Sequence, residues 1–343
     1  MARTYREAGV DVAEAEHAVE LIGRAAASTL TPAVLGGVGG FGSLFRFDPT
    51  THPDPVLVTS TDGVGTKLKV AIALGRHGTV GIDLVHACLN DIAVTGADPL
   101  FFLDYLGIGD LRAEVVEEIV AGVAAGCAAA GIPLVGGETA QMPDVYHGDD
   151  YDLVGFAVGV VARADIIDGA SVRAGDPVIG IPSSGLHTNG YSLARRILPA
   201  AIWGEPLGED GGTIGDALLE THRSYLDDVR ALRRAIRAEG DDLRALAHIT
   251  GGGWVGNVPR TLPDGLGVEV ETGTWPVPAV FTLIQQRGDI ADEEMVRTFN
   301  VGIGMTAVIP PGTTDAALSA VPDACRIGRV IEVPDGESRV RFV

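Results

Sequence analysis

Apolar and polar positions along this chain follow two periods, and the switches between them outline its elements. Residues 11–27 repeat at helical spacing and predict an amphipathic helix with Asp11 as its N-cap. Residues 55–61, Pro-Val-Leu-Val-Thr-Ser-Thr, are rich in β-branched side chains and predict a strand. Helical patterns cover 66–75 and 81–95, and the apolar run from Pro99 to Ile108 predicts a long strand. An alanine-rich helix is expected over 112–130, ended by Gly131, with short buried strands at 132–135 and 154–161.

The texture becomes turn-rich over 165–176, which places a domain boundary there and divides the chain into 1–168 and 169–343. In the second half, strands are expected at 177–181, 245–249, 267–271, 301–309 and 326–333. Helices are expected at 189–197, 222–238, 279–287 and 312–320. The mixture predicts α/β (α+β) architecture in both domains.

Composition narrows the function classes. The 343 residues are 46% apolar, enough for two full cores. No window reaches the roughly twenty unbroken apolar residues of a membrane span, and the N-terminal residues lack a secretory h-region. Cys88, Cys127 and Cys325 are widely spaced, which excludes a disulfide framework or thiolate zinc site and fits a cytoplasmic protein. A net charge of −21, without a basic stripe, argues against nucleic acid as a partner. An anionic substrate would therefore need a local concentration of glycines, helix N-termini and cations.

Only two of the 25 basic residues are lysines, and both fall in Thr59-Ser60-Thr61-Asp62-Gly63-Val64-Gly65-Thr66-Lys67-Leu68-Lys69. Lysine is a compact point charge where arginine is a planar fork. Gly63 and Gly65 admit close approach of backbone N–H groups, Thr66 offers a hydroxyl and Asp62 a hard oxygen. The run can hold a phosphate and magnesium; the alternative is a strand ending in a glycine turn with a solvated lysine. It is not a Walker A loop, which needs Gly-Lys-Ser/Thr opening a helix.

Gly37-Val-Gly-Gly-Phe-Gly42, containing Gly39 and Gly40, matches the dinucleotide pattern G-x-G-x-x-G. No strand precedes it and no helix start follows, so it reads as a glycine flap over a ligand or as an ordinary loop. Asn90-Asp91 lies in an apolar helical stretch with Asp83 two turns earlier. Such a pair must be hydrogen-bonded or bind a cation, unless one side of the helix is solvated. Glu138, after Gly136-Gly137, is expected at the C-terminal end of a buried strand, where α/β folds place ligands; alone it could equally be a helix N-terminal acid. Asp62, Asp91 and Glu138 together could hold one or two Mg2+ ions carried with ATP.

In the second half, Ser183-Ser184-Gly185-Leu186-His187-Thr188-Asn189-Gly190-Tyr191 opens a helix. Its hydroxyls and N–H groups make an anion cradle, or simply a capped loop. His187 could contact a phosphate or move a proton. His248-Ile249-Thr250-Gly251-Gly252-Gly253 ends a strand with three glycines, which implies close backbone approach to a phosphate or to a neighbouring element. His17, His52, His77, His86, His147 and His222 show no metal spacing and read as structural or surface residues.

Taken in order, GGVGGFG, TDGVGTKLK, GIDLVHACLND, PLFFLDYL, VGGETAQMP, SSGLHTNGYSLAR, HITGGG and RTFNVGIGM carry a resemblance from Tyr5 almost to the C-terminus. The chain resembles the phosphoribosylformylglycinamidine cyclo-ligase family, also called aminoimidazole ribonucleotide synthetases. The resemblance implies a two-domain α/β subunit and a homodimer whose N-terminal-domain strands close a barrel. It implies Mg2+ and ATP as cofactors and formylglycinamidine ribonucleotide as substrate. In that chemistry ATP phosphorylates the formyl amide oxygen, the amidine nitrogen attacks, and phosphate leaves as the ring closes.

Carried onto this chain, the resemblance places Asp62, Gly63, Gly65, Thr66, Asn90, Asp91 and Glu138 around Mg-ATP, with Asp62, Asp91 and Glu138 on the metal. Lys67 would pair with phosphate oxygens, and the Gly36–Gly42 loop would close over the nucleotide. Ser183, Ser184, Gly185, His187, Asn189, His248 and the run Thr250, Gly251, Gly252, Gly253 would hold the substrate or its ribose phosphate. Lys67 and His187 would be catalytic. Three positions depart from the family pattern: Arg6 stands where lysine is common, Gln141 for a frequent glutamate, and Thr188 for a frequent serine. Gln141 narrows the metal shell to the acids named.

Rival readings differ in recognisable ways. Thiamine-monophosphate kinase, selenophosphate synthetase and hydrogenase-maturation proteins would share the ATP-binding half, but selenophosphate synthetase should carry an early reactive cysteine, and none precedes Cys88. A non-catalytic scaffold need not keep three acids and Lys67. A nicotinamide oxidoreductase rests on the misplaced glycine pattern alone.

Overall fold

The computed structural model describes residues 10, 12–36, 40–208 and 212–343. Arg6, Asp11, Gly37 and Gly39 lie outside the described residues. The chain separates into two compact units, residues 1–92 with 97–163, and 93–96 with 164–343. The main crossing falls five residues ahead of the expected 168/169 boundary. The reason is an arginine clamp: Arg233 and Arg237 hold Asp165 at 2.6 Å and 2.5 Å, and Arg233 also donates to the Gly96 carbonyl.

The first unit contains α1 (Val12–Ala27), β1 (Pro55–Gly63), α2 (Leu68–Leu74), α3 (Gly78–Ala93), β2 (Asp98–Ile108), α4 (Ala113–Ala130), β3 (Leu134–Gln141) and β4 (Tyr151–Ala162). The strands form one sheet in the order β1-β4-β2-β3, antiparallel except for β2 with β3. Register fixes its two faces. Asp62, Gly155, Asp104 and Gly137 lie opposite one another in a row. A methyl at Gly155 would enter Phe102, Leu84 and Cys88, so this row faces α3. The opposite face carries Leu57, 62% exposed, and Phe156, 41% exposed.

Helices α3 and α4 approach so closely that only glycine fits between them. A side chain on Gly81 would overlap the Ile119 carbonyl and the Val123 amide, and one on Gly122 would overlap the Gly78 carbonyl. This tight crossing fixes α3, and with it Asn90 and Asp91, against the sheet. Gly131, with φ 71°, ends α4 as expected by donating back to Ala128.

The second unit contains β5 (Pro177–Pro182), α5 (Tyr191–Ile197), β6 (Pro206–Leu207), β7 (Gly212–Thr213), α6 (Ile214–Leu219), α7 (Leu226–Ala238), β8 (Ala245–His248) and α8 (Gly253–Asn257). It continues with β9 (Leu266–Val270), α9 (Ala279–Gly288), α10 (Asp292–Thr298), β10 (Ile303–Val308), α11 (Thr314–Ala320), β11 (Cys325–Glu332) and β12 (Val340–Phe342). Six strands form a sheet ordered β12-β9-β11-β5-β10-β8. Its core includes Trp254 stacked on Trp275, with Phe342 set edge-on. Both β5 and β8 pair antiparallel with β10 between them. Their C-terminal ends therefore emerge side by side, next to the start of β10, and that convergence builds the second site. No helix among the described residues is long and apolar enough to cross a membrane.

Candidate functional sites

In the first unit, Asp62 ends β1 half-buried, its Oδ1 accepting from the Gly63 N–H at 2.8 Å. Gly65, at φ 67°, and Thr66 are exposed on the turn that follows. Asp91, on α3, receives the Ser60 hydroxyl at 3.5 Å, and Asn90 beside it is fully buried. Both Asp62 and Asp91 act on Cys88, whose thiol burial pushes up and these carboxylates push further. Asp62 and Asp91 thus share one region at the β1–α3 junction, with hard oxygens and the glycine turn together.

Glu138 does not join them within one chain. The strand expected to end at 135 runs on to Gln141, so Glu138 sits inside β3, paired with Tyr105. That register is one residue out of the Asp62 row, so its side chain points to the opposite face. It is also three strands from β1, about 14 Å at ordinary strand spacing. Gly136 and Gly137 serve close approach, not a turn: a side chain on Gly137 would overlap the Asp104 carboxylate, and one on Gly136 would meet Ser43 Oγ at 2.9 Å. A cavity of about 390 Å³ lies here, lined by α1, by Gly40–Ser43 and by β2 and β3, and including Asp104 and Glu138. The Gly40 and Gly42 end of the glycine loop therefore lines the same cavity as Glu138.

Lys67 departs from its expected part. Its side chain is fully buried, with Nζ 2.7 Å from a carboxylate oxygen of the equally buried Asp83. Lys69 pairs at 2.5 Å with Asp150. An ammonium enclosed against Asp83 positions the glycine turn from beneath and does not present its charge at the surface. The solvated-lysine alternative fails for the same reason.

Burial pushes the Asp104 carboxyl up to about 7. Its folded value lies above its unfolded one, so the group favours the folded state at low pH and opposes it increasingly as pH rises toward about 7. Asp104→Asn should therefore leave the urea midpoint unchanged near pH 4 and raise it near pH 8. An equal shift at both pH values would contradict this environment.

In the second unit, the turn after β5 and the turn after β8 lie together. Asn300, 4% exposed and just ahead of β10, holds the first of them. Its Oδ1 accepts from Ser183 Oγ and from the Gly302 N–H, both at 2.9 Å, and its Nδ2 donates to the Gly185 carbonyl at 2.8 Å. Asn257 holds the second, donating from Nδ2 to the carbonyls of Thr250, Gly251 and Gly253. Neither amide stood out in the sequence, since a single Asn in an apolar run has no distinguishing pattern.

Ser183, Ser184, Asn189 and Thr250 are half-buried, and Gly251 and Gly252 are exposed; these form the accessible lining. Gly252 has φ 90° and Gly253 φ 58°, values that favour glycine. A side chain on Gly251 would lie 3.4 Å from Asn189 Oδ1, which places the two turns in contact. His187, Gly185, Gly253 and His248 lie beneath the surface. His187 has φ 61° and is fully enclosed; its Nε2 accepts from the Ser184 N–H at 3.2 Å, and its ring stacks on His222. It therefore supports the turn from below, where the sequence had suggested direct contact with substrate.

Residues 43–161 match the N-terminal domain of the AIR synthase related protein family, and residues 173–341 match its C-terminal domain. A phosphoribosylformylglycinamidine cyclo-ligase of Anaeromyxobacter sp. (strain Fw109-5) is 52% identical over 352 residues, covering 100% of both chains. The protein of that name from Myxococcus xanthus (strain DK1622) is 51% identical, covering 98% of each. Among solved structures, hydrogenase maturation protein HypE in complex with ATP superposes with a TM-score of 0.67 at 18% identity, covering 96% of this chain and 90% of that one. Thiamine-monophosphate kinase from Stenotrophomonas maltophilia K279a gives 0.63 at 18%, covering 95% of each. These structures share the fold.

Proposed function

Because the chain belongs to the AIR synthase related family and matches phosphoribosylformylglycinamidine cyclo-ligases end to end, we propose that it performs their reaction. It closes the imidazole ring of 5-aminoimidazole ribonucleotide from formylglycinamidine ribonucleotide, consuming ATP, in purine biosynthesis. The observation that carries this is identity above one half across the full length of both chains. The rival kinase and maturation-protein readings share the fold at 18% identity.

The first unit, within the expected 1–168 domain, takes the nucleotide. ATP is supported by the Asp62–Gly65–Thr66 turn and by the ATP held in the HypE relative. Asp62 and Asp91 are the hard ligands for Mg2+, with the buried Asn90 next to Asp91 on α3. Bound magnesium would neutralise charge on the transferred phosphoryl group. Glu138 reaches the nucleotide only from the opposite face of the sheet. That face, with Leu57 and Phe156 exposed, supports a homodimer in which a second copy covers it and strands of both close a barrel. The second unit, within 169–343, takes the ribonucleotide at Ser183, Ser184, Asn189, Thr250, Gly251 and Gly252. Its backbone N–H groups suit the ribose phosphate despite the chain's negative charge. The setting is the cytoplasm.

The chemistry needs the formyl oxygen converted into a leaving group. Phosphorylation of that oxygen, attack by the amidine nitrogen and loss of phosphate form one C–N bond and break one C–O bond. Substrate labelled with 18O at the formyl oxygen tests the route. The label should appear in inorganic phosphate; its release as water would contradict it.

A further inference from the structure

His187, His222 and His248 come from three separate segments, yet one ring nitrogen of each lies within 4.8 Å of the others, and all three are buried. His222 is the middle member. Its ring stacks on His187 with centroids 4.0 Å apart and planes inclined by 16°. Its Nε2 lies 3.0 Å from His248 Nε2, and its Nδ1 lies 3.5 Å from Thr188 Oγ1. The stack argues against a shared metal ion. Nearly parallel rings run their lone pairs side by side, whereas a tetrahedral ion needs nitrogens converging at about 2.0–2.1 Å.

Only one of His222 and His248 can donate across their Nε2–Nε2 contact. A neutral imidazole has one N–H and one acceptor nitrogen. Asn189 Nδ2 donates to Thr188 Oγ1 at 3.5 Å, and the Thr188 hydroxyl keeps one proton of its own that can go to His222 Nδ1. In that arrangement His222 carries its own proton on Nε2 and donates it across the 3.0 Å contact to His248 Nε2. His248, accepting there, holds its proton on Nδ1. We infer that His222 is a positioning residue for the ring-closing reaction, fixing the tautomer of His248 and joining the turn after β5 to the turn after β8. The catalytic part of this inference rests on the cyclo-ligase reading; the tautomer part does not.

The test compares His222→Gln, His222→Asn and His222→Phe in the full chain. Gln can still donate toward His248, Asn toward Thr188 only, and Phe keeps the stack without hydrogen bonds. Loss of the His248 bond should lower kcat/KM for formylglycinamidine ribonucleotide by about 10-fold or more in Phe and Asn, with Gln recovering most of it. The KM for ATP should stay unchanged. Solid-state 15N spectra of histidine-labelled wild-type protein should show His248 as the Nδ1–H tautomer, with a mixture in the Phe variant. Should Phe fail to fold, Gln against Asn decides.

Equal activity of Phe and wild type, Gln no better than Asn, or an Nε2–H tautomer for His248 would overturn the inference. So would stoichiometric zinc or another transition metal in the purified protein. A wild type inert toward this substrate would remove the cyclo-ligase reading and the catalytic role with it, while the 15N spectra still judge the tautomer.

Discussion

Replacing Lys67 by Met lowers the unfolding free energy by about 3–5 kcal/mol, because it strips the buried Asp83 of its paired ammonium. The pair lies under the glycine turn, so ATP affinity falls as well, through displacement of Asp62, Gly65 and Thr66. The companion variant makes the cause visible. Lys67→Met with Asp83→Leu removes both charges and keeps similar volume, and it should regain most of the lost stability, since a well-packed apolar pair matches a buried ion pair in energy. Urea titration of the wild type, the single and the double variant checks this. A single variant as stable as wild type, defective only in binding ATP, would show Lys67 reaching the nucleotide directly.

Asn300→Ala has the next largest effect. The amide satisfies the Ser183 hydroxyl, the Gly185 carbonyl and the Gly302 N–H, and its own carbonyl accepts the indole N–H of the buried Trp254 at 2.9 Å. Truncation leaves the backbone bond to Trp254 but removes the first three. Stranding buried polar groups costs about 1–3 kcal/mol each, partly relieved where Ser183 reaches water, so a net loss of about 2–4 kcal/mol is expected. The turn after β5 then loosens, and KM for the ribonucleotide should rise more than KM for ATP. Asn300→Asp keeps the acceptor but loses the donor to Gly185, and should fall between the two. An alanine variant with wild-type stability and unchanged KM would contradict the role of Asn300 as the clamp of this turn.

The element pattern was readable wherever one face met a core. Helix α1, strands β1 and β2 and helix α4 fall within a few residues of where their periodicity puts them. Strand β3 was cut short because Gly136-Gly137 normally punctuates a strand. Here Gly137 instead makes room for Asp104 and Gly136 for Ser43, neighbours more than thirty residues away that no local pattern reveals. Helices α6 and α10 are too short for a periodic stripe to mark them, although both carry a start signal: the Thr213/Asp216 capping box and the acidic first turn Asp292, Glu293 and Glu294.

The candidate sites were legible as motifs but not as geometry. Glycines and hydroxyls near Asp62, Ser183 and Thr250 marked the right turns. What stands under them depends on tertiary partners: Asp83 beneath Lys67, Asn300 behind Ser183, and His222 between His187 and His248. Residue type could not separate side chains that face a ligand from those that hold the turn in place. Pairing register could, and it moved Glu138 away from Asp62 and Asp91.

Substrate-dependent ADP release is the most direct measurement. Purified protein would receive ATP, Mg2+ and either formylglycinamidine ribonucleotide or thiamine monophosphate. The cyclo-ligase reaction yields ADP and the aminoimidazole product together, in equal amounts, with the first substrate alone. ADP formed with thiamine monophosphate alone, or with neither, would contradict it.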